Sequence, residues 1–452
     1  MASEGSAAQT IASDGWEGAR AGAGRPSSEP QIHIVGAGLA GLAAAVRLSL
    51  RGERVVLYEA AQRAGGRCRS YFDRTLGRVI DNGNHLLLSG NRDAMAYLDA
   101  IGARDSLVGP EDGSFPFIDL ESGTRWAVRP NHGPLPFWIA MPSRRVPGTR
   151  IGAYLAGLRL GRAGPDRTVA DCLDPNDPLW RAFWDPLATA VLNTPPETGS
   201  ATLLWAALKE SFARGAAGCR PLIARDSLAA SLVDPALALL AARGVVPRFG
   251  ARLRAIEHDD RARVLDFAQG PVVLGERDLV ILALPSFQIA ALLPEIAVPE
   301  ETHAIVNGHF RLPQALPDRP LLTGLIGGTA QWLFLREDMA SLTVSAADAL
   351  AEEPADAIAR RLWADTARTL DLPVSPEPPG RIVKEKRATF AQTPAAAAQR
   401  PAARTRWPNL VLAGDWTATG LPATIEGAIR SGHGAAELLS QGALASKQPV
   451  VE

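Results

Sequence analysis

The hydrophobic pattern changes period several times along the chain. Residues 31–35, Gln-Ile-His-Ile-Val, form a short run rich in β-branched side chains, which predicts a strand. Gly36 ends it, and the alanine- and leucine-rich stretch that follows predicts a helix stopping at Gly52. Residues 54–59, Arg-Val-Val-Leu-Tyr-Glu, return to strand patterning and end on an acid. Near-continuous apolar runs at 278–284 and 409–413 predict parallel strands covered on both faces. Further strands are predicted at 78–80, 245–246, 252–256 and 330–335, and helices over 235–243, 351–370 and from 423 onward. Between these lies a stretch of different character, residues 92–240, rich in Trp, Pro, Leu and Ala with helical periods. Asn193-Thr-Pro-Pro-Glu197 interrupts it, since two prolines cannot continue a helix.

This alternation predicts an α/β fold in which a Rossmann-like domain, residues 31–91, 241–289 and 405–441, is discontinuous. An α+β cap domain, 92–240 and 290–404, is interleaved with it. Residues 1–30, rich in Ala, Gly, Ser and Pro, read as a disordered leader, and 442–452 as a flexible tail. At 452 residues and 46% hydrophobic content the chain can bury a large core. Its formal net charge of -1 offers no field for nucleic acid, and no nucleic-acid-binding signature is present. Cys68, Cys172 and Cys219 are scattered without metal-ligand spacing, so no metal site or disulfide framework is expected, and a reducing, cytoplasmic compartment fits. No apolar run approaches the roughly 18 residues that span a bilayer, so any membrane contact would be peripheral, at the inner membrane.

The chemistry begins at Gly36-Ala-Gly38-Leu-Ala-Gly41. Strand, glycine turn and helix in this order bind a dinucleotide: one glycine for the turn, one for close approach of backbone to pyrophosphate, one for helix–strand packing. Glu59, about 20 residues on, is placed to accept from an adenosine ribose hydroxyl. Arg63-Ala-Gly65-Gly66-Arg67 sets two arginines around flexible backbone, suited to bidentate contact with phosphate oxygens. Asp81-Asn-Gly-Asn-His85 contains one of only seven histidines. A neutral imidazole beside a reacting carbon can transfer protons near pH 7, although a turn residue bonded to backbone or cofactor is the preferred reading. Glu197 is a second, weaker acid candidate, with helix capping preferred. Phe117, Trp126, Phe137, Trp138, Trp180, Phe183, Trp184 and Trp205 are available to line an apolar cavity, most of them as ordinary core. Residues 144–162 combine five arginines with Ile151, Tyr154, Leu155 and Leu158 at helical spacing. They read either as an interfacial helix on an anionic membrane or, preferably, as a cap helix with a solvated basic face. Near the end, Ala413-Gly414-Asp415 follows a short apolar strand and precedes another helix.

Taken with these residues, the sequence resembles the FAD-dependent amine oxidase and carotenoid desaturase superfamily, and within it the squalene-associated flavoproteins, the hydroxysqualene dehydroxylases. The matching stretches are Arg63 to Arg67, Asp81 to His85, Asn193 to Glu197, Trp332-Leu-Phe334, Glu385-Lys-Arg-Ala-Thr-Phe390 with Thr393-Pro394, and Ala413 to Asp415. Asn84 stands where that pattern has Gln. The resemblance implies an amine-oxidase-like fold and FAD as cofactor, with Asp415 on the ribityl chain and the following helix aimed at the flavin N1/O2 edge. Its implied cofactor contacts are Gly36, Gly38, Leu39, Ala40, Gly41, Glu59, Ala60, Gly66, Arg67, Gly83, Asn84, His85, Leu253, Gly414, Asp415, Thr424 and Ile425, with His85 the catalytic candidate. It further implies reduction of hydroxysqualene, a C30 isoprenoid, to squalene. A desaturase or amine oxidase, and a non-redox prenyl-binding escort protein, are the competing readings. No second nucleotide fingerprint follows, so the electron donor is expected to be free reduced flavin or another redox protein rather than a docked NAD(P)H.

Overall fold

The computed structural model describes residues 29–445, with side chains through residue 440. All but two residues of the expected leader lie outside the described residues, as do residues 446–452 of the expected tail. The last helix continues through residues 442–445, which were expected in that tail.

A five-stranded parallel sheet carries the N-terminal pattern. It runs in the order Arg248–Phe249, Val55–Glu59, Ile32–Val35, Leu279–Leu282, Leu410–Leu412. Ile32–Val35 (β1) sits at its centre, with Ile32 opposite both Val55 and Leu279, and all four of its residues are buried. Helix α1, Leu39–Leu50, follows β1 directly, and Val55–Glu59 (β2) follows α1. Leu42 and Leu48 of α1 are fully buried, each worth ~1.5–3 kcal/mol by removal from water. The helix Ile425–Ala445 packs beside α1, close enough that a Cβ on Gly432 would stand 2.1 Å from the Ala40 carbonyl oxygen. Four distant stretches of chain are thereby gathered into one layer, and the carboxyl ends of their strands share one edge.

A seven-stranded, mostly antiparallel sheet forms the second layer, in the order Gly380–Phe390, Thr302–Arg311, Met339–Val344, Trp332–Arg336, Leu322–Ile326, Phe115–Asp119, Arg125–Val128. Residues 115–128 therefore pair with strands two hundred residues later, Gly324 lying opposite Phe117 in a parallel contact. Short helices between residues 137 and 219 cover part of this sheet through a continuous aromatic core. Trp138 meets Tyr154 edge-on at 5.2 Å, Tyr154 meets Phe183 at 5.7 Å, and Phe183 meets Trp184 at 4.9 Å.

Three local expectations change. The strand joining the parallel sheet is Arg248–Phe249, not 245–246, because Pro247 cannot supply a ladder N–H from the earlier register. Leu253–His258 forms a separate three-stranded antiparallel sheet with Ala262–Phe267 and Gly270–Val273. Residues 351–370 are not one helix, since Pro354 divides Asp348–Glu352 from Ala355–Leu370. Among the described residues no helix is long and apolar enough to cross a membrane, and no group of three His, Cys, Asp or Glu side chains could hold a metal ion.

Candidate active site

The glycine turn is built as its spacing requires. Gly36 has φ +106, and a Cβ there would lie 2.4 Å from the Ala283 carbonyl oxygen. At Gly41 a Cβ would lie 1.8 Å from the Gly36 carbonyl oxygen, so only glycine lets α1 leave the turn this tightly. Gly38 is the N-cap of α1, has no side-chain cap and faces open space. The first-turn N–H groups of α1, including those of Leu39 and Ala40, thus present an uncapped positive helix end.

Glu59 stands at the adjoining strand end. One carboxylate oxygen accepts from the Ala37 N–H and the other from the Ala61 N–H, both at 2.8 Å, which fixes the carboxylate beside the turn and next to Ala60. The Ala251 N–H donates to the Glu59 carbonyl, two residues before Leu253 begins the next strand. Residues 65 and 66 pass over the turn: the Gly65 N–H donates to the Ala37 carbonyl, and a Cβ on Gly66 would stand 3.3 Å from Gly38 Cα. Of the two arginines flanking this loop, Arg63 is exposed, while Arg67 donates to Asp415 Oδ1 at 2.8 Å and to the Ala388 carbonyl at 2.5 Å. Asp415 raises the Arg67 pKa above its ordinary value.

Asp415 is buried, and its ion pair with Arg67 joins the two ends of the chain. The Gly414 N–H donates to Ser431 Oγ, and the Trp416 indole donates to the Leu284 carbonyl, which fixes this turn against the central sheet. Thr424 caps the last helix, its hydroxyl accepting from the Gly427 N–H at 3.1 Å, with Ile425 buried behind it. Arg400 went unnoticed in the sequence. Its guanidinium is buried and donates to the carbonyls of Leu421 and Asp415 and to the Thr419 hydroxyl, while its Nε has no partner. Burial lowers its pKa to about 10. A lone arginine just after the short helix Pro394–Ala398 carries no sequence motif, so no local signal could have revealed it.

The segment Asp81 to His85 threads between the two sheets. Asp81 accepts from Ser70, Arg336 and the Leu228 N–H, and the Asn82 amide donates to Glu385 at 3.1 Å. Asn84 donates to Thr343 Oγ1 at 3.2 Å and lies against Asn307, but its own Oδ1 is buried without a partner. A Cβ at Gly83 would meet Asn307 Nδ2 at 3.3 Å, with His85 Nε2 at 3.9 Å. Burial, and then the nearby Arg67 charge, push the His85 pKa down to about 4. At neutral pH His85 is therefore an uncharged imidazole, able to donate one hydrogen bond but carrying no ready proton.

Two expectations are overturned. Glu197 is exposed on its turn, and the adjacent helix is capped by Ser200, whose hydroxyl accepts from the Leu203 N–H. Phe137 is 64% exposed and lines no interior cavity, whereas Phe117, Trp138, Trp180, Phe183 and Trp184 are buried.

The model of the flavin-containing amine oxidoreductase family matches residues 39–440. The chain is 48% identical over 410 residues to a hydroxysqualene dehydroxylase of Rhodopseudomonas palustris, covering 90% of this chain and 98% of that protein. It is 45% identical over 409 residues to a hydroxysqualene dehydroxylase of Sinorhizobium fredii, covering 90% and 97%. Its fold is that of cyclohexylamine oxidase from Brevibacterium oxydans, with a TM-score of 0.68 at 16% identity, over 92% of this chain and all of that one.

Proposed function

The chain belongs to the flavin-containing amine oxidoreductases, and from that premise we propose that it removes the hydroxyl group of hydroxysqualene reductively, giving squalene and water. The 45–48% identity, over 90% of the chain, with proteins bearing that activity in their names carries this reading. FAD is the cofactor. When bound, it would supply the hydride that replaces the hydroxyl at the substrate carbon.

The chain's own residues suit that cofactor. Gly36 to Gly41 and the open end of α1 would hold the diphosphate, Glu59 and Leu253 the adenosine, and Asp415 with Gly414 the ribityl chain. Gly66, Arg67, Gly83, Asn84, Thr424 and Ile425 would make the remaining contacts. Asn84 Oδ1 and Arg400 Nε are buried without a partner, and a polar ligand reaching them would satisfy both. Arg400 and the Thr424 helix end both bring positive charge to one side, which favours an electron-rich ring. His85, neutral at pH 7, donates a hydrogen bond to the departing hydroxyl oxygen, and the proton that completes water comes from solvent-connected groups. The aromatic core beneath the short helices keeps bulk water from the allylic cation that forms. Electrons come from free reduced flavin or a redox partner in the cytoplasm.

The test is anaerobic incubation of the purified flavoprotein with hydroxysqualene and reduced flavin, followed by product analysis. Squalene is expected. Asp415→Ala should lose flavin and product together. His85→Ala should keep flavin but lose about ten- to a hundredfold in turnover, the worth of one hydrogen bond, ~1.5–3 kcal/mol, to an oxygen gaining negative charge. No squalene from flavin-loaded protein would overturn the reading, and undiminished turnover in His85→Ala would remove His85 from it.

A further inference from the structure

Six of the fourteen large apolar side chains that stand exposed among the described residues fall within one short stretch: Leu135, Phe137, Met141, Ile151, Leu155 and Leu158. Random scatter of surface apolar groups needs no explanation, but a contiguous group does. The two segments that carry these residues are packed together. The turn Phe137–Ala140 and the helix Ile151–Leu155 pack through Trp138 against Tyr154, and the Tyr154 hydroxyl accepts from the Val146 N–H at 2.9 Å. With Trp138 and Tyr154 turned inward, the apolar residues between them are turned out.

The backbone keeps this face low. After Ile151–Leu155 the chain tightens into a 3-10 helix, Ala156–Arg162, in which Gly157 and Gly161 lie close against indole rings. A Cβ at either would stand 2.6 Å from Trp184 or Trp205. Leu155 and Leu158 are thus held outward by a rigid floor.

Charge gives the second, independent observation. From residue 122 to residue 165 the chain holds seven arginines and no Asp or Glu. Arg125 and Arg129 pair with Asp371 and Asp112. Among the described residues, Arg144, Arg145, Arg150, Arg159 and Arg162 have no carboxylate within salt-bridge distance, and the last three of these are exposed. In a chain of formal net charge -1, an acid-free basic segment bearing the largest group of exposed apolar side chains is a local design.

We propose that residues 135–162 are a docking surface for an anionic lipid bilayer, the six apolar side chains entering the acyl boundary and Arg150, Arg159 and Arg162 meeting the phosphate headgroups. The basic face assigned to solvent from the sequence alone is then the headgroup face, since the apolar residues beside it are not covered by protein. A second copy of the chain would bury the leucines but bring five like charges against five, so a lipid surface is the better complement.

Flotation of the flavin-loaded full chain with vesicles tests this. Wild type should float with phosphatidylglycerol–phosphatidylethanolamine vesicles at least tenfold more than with phosphatidylcholine vesicles, and less at high salt. The combined Leu135→Ser, Phe137→Ser, Leu155→Ser and Leu158→Ser variant should lose flotation on both, and Arg150→Glu, Arg159→Glu and Arg162→Glu together should abolish the anionic preference. All seven side chains are exposed, so each variant should keep its flavin spectrum and unfolding temperature; one that does not is replaced by the single Phe137→Ser and Leu158→Ser variants, for which at least a threefold loss is expected. Failure of wild type to float, equal flotation of the variants, or a dimer in sedimentation that the serine variant dissociates without any vesicle binding would overturn the proposal. The surface is argued independently of the substrate. Wild type that floats but yields no squalene from detergent-dispersed hydroxysqualene would refute the function proposed above and leave the docking surface standing.

Discussion

Asn193 gives the sharpest test of how the cap is fastened to the rest of the molecule. It ends the helix Asp185–Leu192 in a left-handed conformation, φ 47 and ψ 35, and is 3% exposed. Its amide nitrogen donates to Thr389 Oγ1 at 3.0 Å and to the His303 carbonyl at 3.3 Å, and its oxygen accepts from the Ala346 N–H at 2.7 Å. One side chain thus ties three strands or turns of the seven-stranded sheet to the helical cap. Asn193→Ala removes two bonds worth about 1 kcal/mol each, leaves the Ala346 N–H unpaired at about 1 kcal/mol or more, and adds roughly 1 kcal/mol for alanine in the left-handed region. The sum is about 4 kcal/mol. With unfolding entropy of roughly 2.1 cal/mol/K per residue, 452 residues give about 0.95 kcal/mol/K, so the melting temperature should fall by about 4 °C. Asn193→Gly removes the backbone strain alone and should recover about 1 °C of that loss. Differential scanning calorimetry of both variants, and of Thr389→Val alone and combined with Asn193→Ala, measures the coupling. A loss below 1 °C in Asn193→Ala, or full additivity with Thr389→Val, would refute this account of the fastening.

Gly38→Ala and Gly41→Ala should part company. The first adds a methyl in open space over the helix end and should lower flavin content while leaving unfolding of the apoprotein unchanged. The second drives a methyl against the Gly36 carbonyl oxygen and should cost about 1–3 kcal/mol of stability as well, read by flavin absorbance together with denaturant midpoints. Acid stability should depend on His309, fully buried with its Nδ1 against Ser341 Oγ at 2.8 Å, whose pKa burial pushes from 6.5 to about 4. A histidine held neutral in the fold stabilises above the unfolded pKa. That contribution is lost as pH falls from 6.5 towards 4, by ~3 kcal/mol over the whole span. Denaturant midpoints between pH 7 and 4.5 should therefore fall less steeply for His309→Gln than for wild type, and parallel curves would contradict this.

The adenine-nucleotide half of the site was open to reading from the sequence because its determinants are local. Strand, glycines, helix and Glu59 lie within about thirty consecutive residues, and each glycine answers a steric demand made by a near neighbour, as Gly41 does to Gly36. The buried runs at 279–282 and 410–412 were legible for the same reason, a fully covered strand being apolar throughout. The motifs Asn193 to Glu197 and Glu385 to Phe390 could be noticed, but not why they go together. Only the fold sets Asn193 on Thr389 and Asn82 on Glu385. The same holds for the Arg67–Asp415 pair, 348 residues apart in sequence. Arg400 and the charge state of His85 depend on burial, which is a property of the packed molecule. Pattern alone could not choose between solvent and lipid for residues 144–162, because an amphipathic period states that two faces differ without saying what each one meets. What only the tertiary structure decided is which side chains are left uncovered: it turns Trp138 and Tyr154 into the core and leaves Phe137, Leu155 and Leu158 outside it. Packing and not period fixes which face is buried, and on that the docking surface is proposed.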